Sequence, residues 1–371
     1  MLLLAGLATP AAADDGHGGG SSVKVLLTDL KSPKGLGVNA ARDVVVAQGA
    51  FSDPSDPTDL GGPVLVFHTR GPAKGTADAI TDPFQIVDVA ISPVDDTGWA
   101  IGTDQHLYHQ LADGSIVDVL DIPAYQATDP DPVDHDDPPN PTESNPYGLT
   151  VDHDGDALVA DAAGNDVLRV TPDGVTTTVA RFDLESVSTD HIPPDPANPL
   201  PPMFDAESVP TTVTVGPDGA IYVGELKGFP FRPGTSRIWR IKPGVTGGWC
   251  SVRTPDPSTC KTYSSGYTAI EDIAFGTDGK FYVYEFAAEG VGAFEEGFGT
   301  GQFPPAVLLE VKKSRKGERR TELAAGQFSQ PGGIVVIKGK IYVTDGMFTG
   351  GRLLQIRRGG DDNHETEGHD D

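Results

Sequence analysis

The chain has little positive charge and no long apolar run. Its 371 residues include 27 Lys or Arg against 54 Asp or Glu, which gives a formal net charge of −27 at pH 7. A chain this acidic is a poor partner for nucleic acid or for anionic lipid. No stretch approaches the roughly 20 apolar residues that a membrane-spanning helix needs. We therefore expect no nucleic-acid partner and no membrane span.

Long helices are also disfavoured, because 46 Gly and 32 Pro interrupt the sequence at short intervals. These two residues are the least compatible with a helix interior, so the composition disfavours a helical bundle or a doubly wound α/β fold. Since 37% of the residues are hydrophobic and all-β folds often reach this length as one unit, the composition predicts a single large all-β domain.

Cysteine is nearly absent: the chain has only Cys250 and Cys260, separated by a segment with two prolines. In an exported protein this pair predicts a disulfide that closes a loop. Two free thiols are the alternative, and metal binding is the least favoured reading because no other soft ligand is near in sequence.

The two ends of the chain differ from the rest. Residues 1–13 have the apolar stretch and the small residues before Asp14 that are typical of a secretory signal, and this predicts export. They lack basic residues ahead of the apolar run, so a disordered tail is the alternative. We expect residues 14–22 to be a disordered segment and residues 358–371 to be an acidic, solvated tail.

Between these ends, one sequence pattern recurs about every sixty residues. It consists of a short apolar strand, a tight turn and a second apolar strand that ends in a polar residue. With Leu149 as the reference, the equivalent anchor positions are Leu36, Val89, Val213, Ile273 and Ile334. Such self-similarity is typical of a repeat architecture. The sequence therefore contains six copies of one structural unit.

Each copy predicts four short antiparallel strands, which is one blade of a β-propeller. The sixth copy stops after its third strand, whereas an additional strand at residues 23–27 precedes the first copy. We predict that this N-terminal strand completes the sixth blade and so removes the open edge of that sheet. The predicted fold is a six-bladed β-propeller over residues 23–357.

The register of the repeats also places a polar residue at the end of the second strand in five copies, whereas copy two has Gly102 there. The acids at this position are Asp161, Glu225, Glu285 and Asp345. Carboxylates at such corners commonly accept hydrogen bonds from backbone N–H groups of the adjoining loop. We expect these four acids to shape the corner with the following loop rather than to act on a ligand.

The clearest copy, with the sequence GLTVDHDGDALVADAAGNDVLRVTPDG, resembles the repeats of NHL-type and SMP-30-type six-bladed propellers. With the openings SPKGLGV and IEDIAFGTDGKFYV, the chain is most similar to the bacterial ScyD/ScyE family over residues 23–357. This resemblance implies a secreted propeller of undefined biochemical activity. The glutamate-bearing opening of SMP-30-type lactonases has no counterpart at Ser32-Pro33-Lys34-Gly35, which weakens a lactonase assignment.

Connections in a four-stranded meander alternate between two faces of the propeller. The turns between strands 1 and 2 and between strands 3 and 4 are short, and we call their side the short-turn face. The other connections form the loop-rich face, where long excursions occur at residues 49–63, 125–145, 182–210, 226–236 and 286–305. Binding residues usually lie on loops held by a rigid scaffold, so we expect the functional site on the loop-rich face.

Three acids precede first strands that should line the central channel: Asp88 in blade 2, and Glu271 and Asp272 in blade 5. Because blades 2 and 5 are opposite each other in a ring of six, these carboxylates can meet at the mouth of the channel. Oxygen ligands of this kind suit Ca²⁺, and we predict a calcium site. Solvated rim charges are the alternative, and no organic cofactor is indicated.

Phenylalanines in the excursions of blades 4 and 5 are a further candidate feature. They either cover a ligand or anchor the loops against the blades. The members are Phe229, Phe231, Phe294, Phe298 and Phe303.

These features predict a secreted protein that binds a small molecule, a cation or a protein through the loop-rich face without catalysis. The alternative is a metal-assisted hydrolase or lyase of the SMP-30 or strictosidine-synthase type, with Asp88, Glu271 and Asp272 at the channel mouth.

Overall fold

The computed structural model describes residues 20–51, 58–135, 138–197, 199–276 and 279–358. The predicted leader at residues 1–13 lies outside these ranges, as does the predicted tail apart from Arg358. No helix among the described residues is long and apolar enough to span a membrane.

Each sequence repeat forms one antiparallel sheet, and the six sheets follow each other along the chain. The first three blades and the elements between them are β1 (Ser22–Lys31), β2 (Leu36–Val38), β3 (Val44–Val46), β4 (Leu65–Phe67), β5 (Ala77–Ala79), β6 (Ile86–Ile91), β7 (Gly98–Gly102), β8 (His106–Gln110), β9 (Ile116–Asp121), α1 (Ile122–Gln126), β10 (Pro146–Val151), β11 (Ala157–Asp161), β12 (Asp166–Val170) and β13 (Thr176–Phe182). Strands β2–β5, β6–β9 and β10–β13 form blades 1, 2 and 3.

The second half of the chain repeats this plan with longer insertions. Its elements are β14 (Glu185–Ser188), β15 (Met203–Ala206), β16 (Pro210–Val215), β17 (Ile221–Glu225), β18 (Ser236–Ile241), β19 (Gly248–Cys250), β20 (Cys260–Tyr267), β21 (Ile270–Phe275), β22 (Lys280–Glu285), α2 (Val291–Thr300), β23 (Val307–Ser314), β24 (Gly317–Leu323), β25 (Pro331–Ile337), β26 (Lys340–Asp345) and β27 (Gly350–Arg357). Blade 4 is β16, β17, β18 and β20, blade 5 is β21–β24, and blade 6 contains β25–β27. The six-bladed propeller predicted from the sequence is confirmed.

The sixth blade is completed by the N-terminal strand. β1 pairs antiparallel with β27, with Val23 opposite Ile356 and Leu30 opposite Gly351, and the strand order of the sheet is β1-β27-β26-β25. The predicted closure is therefore confirmed, although β1 is twice as long as the predicted strand at residues 23–27. Its start is fixed by Ser21, whose Oγ accepts a hydrogen bond from the backbone N–H of Ala324 in blade 5.

Blade 3 has a fifth strand that the repeat pattern does not contain. β19 comes from the connection between β18 and β20 of blade 4, and it pairs in parallel with β13, with Cys250 beside Phe182. Cys250 and Cys260 form the predicted disulfide. Because Cys260 begins β20, the disulfide links the outer edge of blade 3 to the outer strand of blade 4.

The hydrophobic core lies between neighbouring blades. Successive residues of a strand point to opposite faces of its sheet, so each blade contributes to two interfaces. In β11, Leu158 packs toward Val213 and Trp239 of blade 4, whereas Val159 packs toward Trp99 of blade 2. This wedge-like packing holds the six first strands around the axis, which is where the candidate site lies.

Candidate functional site at the channel mouth

A break in strand register recurs at the loop-rich end of the first strand in blades 2 to 6. In every case it falls just before the anchor residue of the repeat. The breaks lie at Ile86/Asp88, Pro146/Gly148, Pro210/Thr212, Ile270/Asp272 and Pro331/Ile334. A β-bulge redirects side chains and leaves backbone groups without ladder partners. The mouth of the channel is therefore surrounded by irregular backbone that needs other hydrogen-bond partners.

Asp88 and Asp272 provide such partners. Oδ2 of Asp88 accepts a hydrogen bond of 2.8 Å from the backbone N–H of Leu149, the anchor of blade 3. Oδ2 of Asp272 accepts one of 2.8 Å from the N–H of Ile334, the anchor of blade 6. The two carboxylates thus repeat the same contact half a ring apart, and each ties its own blade to the next one.

Each blade that receives one of these contacts has a glycine immediately before its anchor, where the following blade approaches closely. A Cβ on Gly148 would lie 2.6 Å from the carbonyl oxygen of Thr211, and a Cβ on Gly333 would lie 2.7 Å from that of Lys34. Real side chains do not approach backbone this closely. The glycines before these two anchors therefore allow the first strands to converge at the axis.

The remaining groups at the mouth are Lys34, Tyr147 and Glu271. Lys34 is 4% exposed, and its Nζ donates a 2.7 Å hydrogen bond to the carbonyl oxygen of Tyr147 and lies 4.0 Å from the centre of that ring. The same Nζ is 3.9 Å from Oδ2 of Asp88. The hydroxyl of Tyr147 donates a 2.9 Å hydrogen bond to Oε1 of Glu271, which is 1% exposed. We call Lys34, Asp88, Tyr147, Glu271 and Asp272 the axial cluster.

Burial dominates the electrostatics of the axial cluster. Loss of solvation raises the pKa of Glu271 to about 8, although the ammonium of Lys34 opposes the shift. Burial likewise raises the pKa of Asp88 to about 6, again against the effect of Lys34. At neutral pH, Glu271 therefore carries a proton while Asp88 is mostly ionised, so the cluster contains both a proton donor and a carboxylate.

The channel itself is a cavity of about 280 Å³ lined by all six first strands. Since these strands run from the loop-rich face to the short-turn face, Asp88, Thr212 and Asp272 line its inner end. Toward the short-turn face its lining residues include Val38, Ile91, Val215, Phe275 and Val336. Lys34, Tyr147 and Glu271 do not line this cavity, and they lie between it and the loop-rich face.

The sequence-predicted carboxylates Asp88, Glu271 and Asp272 are near enough to influence one another electrostatically, as expected from the opposite positions of blades 2 and 5. Sequence reasoning missed Lys34 and Tyr147. Each stands two residues before its anchor, as Glu271 does, and that alignment is the signal that would have found them.

A calcium site has limited support in this geometry. Lys34 already places a positive charge beside Asp88, and the described residues include no group of three or more His, Cys, Asp or Glu side chains arranged to hold a metal ion. All four carboxylate oxygens of Asp88 and Asp272 accept backbone N–H groups at 2.7 to 2.8 Å, and the donors are Val89, Leu149, Ile273 and Ile334. The calcium prediction stays a prediction.

The acids at the ends of the second strands lie at corners, as expected, but their donors differ from the expectation. Asp161 accepts N–H groups from Asn145 and Gly164, and Glu285 accepts that of Thr268. Only Gly164 belongs to the following loop, since Asn145 and Thr268 precede the first strands of the same blades.

Two of these corners are reinforced by cations. Asp345 accepts the backbone N–H groups of Ser329 and Gln330 at 3.0 Å and pairs with Arg352. Glu225 is buried, and it contacts Nζ of Lys227 at 3.0 Å and Nε of Arg237 at 2.9 Å. All four acids thus have structural partners.

Helix α2 lies on the loop-rich face of blade 5. Phe294 is 2% exposed and packs against Phe286, Phe303 and Phe348, so it anchors the helix. Phe298 on the same helix is 60% exposed. Phe294 and Phe303 therefore anchor the loop, and Phe298 contacts the rings of Phe294, Phe303 and Phe348 while much of its surface stays exposed. That these rings cover a ligand stays a prediction.

The described part of the loop-rich face is strongly acidic. Its five excursions contain Lys227 and Arg232 as their basic residues. The acids in the same excursions are Asp59, Asp129, Asp131, Asp134, Glu143, Asp183, Glu185, Asp190, Asp195, Asp205, Glu207, Glu289, Glu295 and Glu296. This face therefore carries an excess of negative charge.

No family model matches the chain, and no curated protein matches it either. Among solved structures, it resembles a streptogramin B lyase (13% identity, TM-score 0.50, covering 91% of this chain and 98% of the other). It also resembles virginiamycin B lyase from Staphylococcus aureus (14%, 0.50, 91% and 99%) and a putative glucose dehydrogenase from Thermus thermophilus (16%, 0.54, 91% and 100%). At this identity, the similarity establishes the propeller fold alone.

Proposed function

We propose that this protein is a recognition module that binds a partner protein with a basic surface through the loop-rich face. The observation that carries the proposal is the composition of helix α2, which presents the exposed Phe298 beside the exposed Glu295 and Glu296. Neither side-chain carboxylate has a hydrogen bond or an ion pair among the described residues. Aromatic rings including Phe are enriched in protein interfaces, where a polar rim surrounds the buried centre, and Phe298 with its neighbouring carboxylates has this composition.

Charge complementarity favours a basic partner. The excursions around α2 supply many carboxylates and few cations, so a cationic surface would be attracted over several ångströms before contact. Such attraction mainly accelerates association and selects the partner, whereas burial of Phe298 would supply contact energy. Together these effects support recognition of a basic protein that has an apolar pocket.

A binding assay with a defined probe tests this proposal. The probe is a fluorescent peptide of alternating lysine and tryptophan residues, and its dissociation constant is measured by anisotropy at low and high salt. The test variant carries Glu295→Gln, Glu296→Gln and Phe298→Ala. We expect about tenfold weaker binding, which corresponds to about 1.4 kcal/mol, and a loss of affinity at high salt.

The matched control removes the same chemistry from the short-turn face. It carries Asp113→Asn, Asp154→Asn and Val94→Ala, all at exposed positions, with Val94 61% exposed. This variant should bind within about twofold of the original chain, because its three substitutions lie on the face opposite α2 and distant exposed charges are screened by salt. Equal losses in the two variants, or no loss in either, would contradict the proposal.

The alternative function is a hydrolase or lyase at the channel mouth. It is supported by the raised pKa values of Glu271 and Asp88, because perturbed carboxyl groups are common in active sites. Against it stand the burial of Glu271 and the contacts that already occupy Lys34 and Tyr147. Probe binding that responds to Glu271→Gln but not to the α2 substitutions would favour this alternative.

We also propose that the chain is exported and related to the ScyD/ScyE family. The disulfide between Cys250 and Cys260 supports an oxidising compartment, and the sequence of residues 1–13 supports a cleaved leader. N-terminal sequencing of protein recovered from cells and from the medium provides the test. A mature chain that starts near Asp14 outside the cells is expected, and an intact Met1 confined to the cytosol would contradict export.

A further inference from the structure

Basic residues are scarce in this chain, yet six of its 27 Lys and Arg lie in residues 312–320. These residues form the hairpin of β23 and β24, whose turn lies on the short-turn face of blade 5. All six basic side chains are exposed, with Glu318 as the one acid of the hairpin segment. Their concentration in a chain of net charge −27 calls for a physical reason.

The hairpin aligns like charges across its strands. Lys312 lies directly opposite Arg319 on one side and opposite Lys280 of β22 on the other. Side chains at directly opposite positions share one face of a sheet, and like charges in this arrangement repel. Lys280 is paired with Glu310 at 3.1 Å. Neither Lys312 nor Arg319 has an ion pair among the described residues.

The other four cations divide into two groups. Lys313 and Arg320 share Glu318 and lie over the rings of Tyr263 and Tyr267. Arg315 and Lys316, at the tip of the hairpin, have no ion pair in the described part of the chain. We call the unpaired cations Lys312, Arg315, Lys316 and Arg319 the basic patch.

The chain leaves the described fold beside this patch. β27 is a third strand and therefore ends on the short-turn face, as β23 does. The next residue, Arg358, pairs with Oε2 of Glu310 at 2.8 Å and contacts the hydroxyl of Tyr282. Glu310 is two residues before Lys312 in β23, so it lies on the same face of the sheet. The backbone that continues from Arg358 thus starts at the edge of the basic patch.

The residues that follow are complementary in charge. Residues 359–371 begin with two glycines and contain no Lys or Arg, and their acids are Asp361, Asp362, Glu365, Glu367, Asp370 and Asp371. Thirteen residues can extend over at most about 43 Å, which is ample for a hairpin whose neighbouring strand already contacts Arg358. We propose that residues 359–371 bind the basic patch of their own chain, which makes the patch a polyanion-binding surface covered in cis.

The energetics of such a contact predict how it behaves. A single exposed ion pair contributes at most about 1 kcal/mol, but a short tether keeps the acidic segment at an effective concentration in the millimolar range. Several weak ion pairs then suffice to keep the acidic segment bound to the basic patch at low salt. Screening at high salt should release the segment, so occupancy is reversible and an external polyanion of higher charge density can displace it.

The experiment uses the full chain and a fluorescent synthetic peptide of residues 359–371. In the test variant, the six acids of the segment are changed to their amides, which leaves every described residue intact. We expect the peptide to bind this variant with a salt-dependent dissociation constant and to bind the unmodified chain at least about tenfold more weakly, because its site is occupied. Anisotropy measures both.

Two further variants, made in the neutralised chain, locate the site. Lys312→Gln with Arg319→Gln should abolish most of the binding. The matched control, Lys74→Gln with Lys242→Gln, removes two exposed lysines from the short-turn face of blades 1 and 4 and should have no effect. Equal peptide binding by the unmodified and neutralised chains would overturn the proposal. Losses of equal size in the double variant of Lys312 and Arg319 and in the control double variant would overturn it as well.

Discussion

Lys34 gives the channel mouth a character that its carboxylates alone would not have. Burying an ammonium group is costly unless nearby groups compensate it. Here the carbonyl oxygen and ring of Tyr147 and the carboxylate of Asp88 surround Nζ within 4.0 Å. The cation therefore offsets part of the negative charge of the axial cluster, and it favours the ionised form of Asp88 in a buried environment by lowering the pKa of that carboxyl group.

Glu271 makes the stability of the protein depend on pH. Burial raises the pKa of this carboxyl group from its ordinary value of 4.5 to about 8 in the fold. Between these values the folded state holds a proton that the unfolded state has lost, so stability falls as pH rises. Glu271→Gln, which keeps a neutral acceptor for Tyr147, should remove a slope of up to about 1.4 kcal/mol per pH unit from urea-unfolding measurements between pH 5 and pH 8.

The control for this experiment is Glu289→Gln, which neutralises an exposed glutamate on the loop-rich face. It should leave the slope nearly unchanged. If Glu271→Gln alters stability equally at pH 5 and pH 8, Glu271 is ionised throughout this range and the assigned protonation state is wrong.

The sequence predicted Asp88, Glu271 and Asp272 at the mouth because they share a register with their anchors, and register is a local property of each repeat. Lys34 and Tyr147 share the register of Glu271, two residues before the anchor, but neither is a carboxylate. Lys34 of blade 1 can contact Tyr147 of blade 3 only because the first strands converge closely at the axis. Gly148 and Gly333 allow this convergence because they leave room for the backbone of the next blade. The spacing of the repeats along the sequence does not reveal such packing between blades.

At the scale of elements, β19 is the main departure from the repeat. Its three residues add a parallel strand to blade 3 although they belong to the connection of blade 4. The sequence could not predict this pairing, because three residues carry no detectable alternation and their partner strand is 65 or more positions earlier. The disulfide was predictable, since Cys250 and Cys260 are the two cysteines of the chain.

The disulfide should therefore matter most for β19. We expect Cys250→Ser with Cys260→Ser to lower the free energy of unfolding by about 2 kcal/mol, at the lower end of typical values because the closed loop is short. Hydrogen exchange should accelerate at residues 248–250, where backbone bonds to β13 depend on the anchored strand, and much less in β16.

A suitable control is Ser258→Ala in the same loop, which keeps the disulfide and removes a side-chain contact with Asp256. Hydrogen exchange that increases equally in β16 and β19 would contradict a local role, since it would mean that the disulfide stabilises blade 4 as a whole.

The whole molecule separates charge between its two faces. The loop-rich face has the acidic excursions and α2, whereas the basic patch projects from the short-turn face of blade 5. The composition of the chain gives only the net charge of −27, and the separation follows from the propeller topology, which assigns alternate connections to opposite faces. One face is therefore suited to cationic partners and the other to anionic groups.

The closure of the ring by β1 leads to a prediction about the entire fold. Deletion of residues 1–31 removes the partner strand of β27, exposes the backbone of a sheet edge and uncovers the core between blades 6 and 1, to which Leu26, Leu27 and Leu30 contribute. An open apolar edge promotes association between chains. We expect a lower midpoint of thermal unfolding and concentration-dependent aggregates in light scattering.

Deletion of residues 1–19 is the matched control, because it leaves β1 intact, and its unfolding midpoint should equal that of the full chain. Adding a synthetic peptide of residues 20–31 to the shorter protein should restore the monomer, since the peptide supplies the same hydrogen bonds and leucines in trans. A monomeric, equally stable protein without residues 1–31 would mean that β27 tolerates an open edge. Blade 6 would then be held by its contacts with blades 5 and 1 rather than by β1.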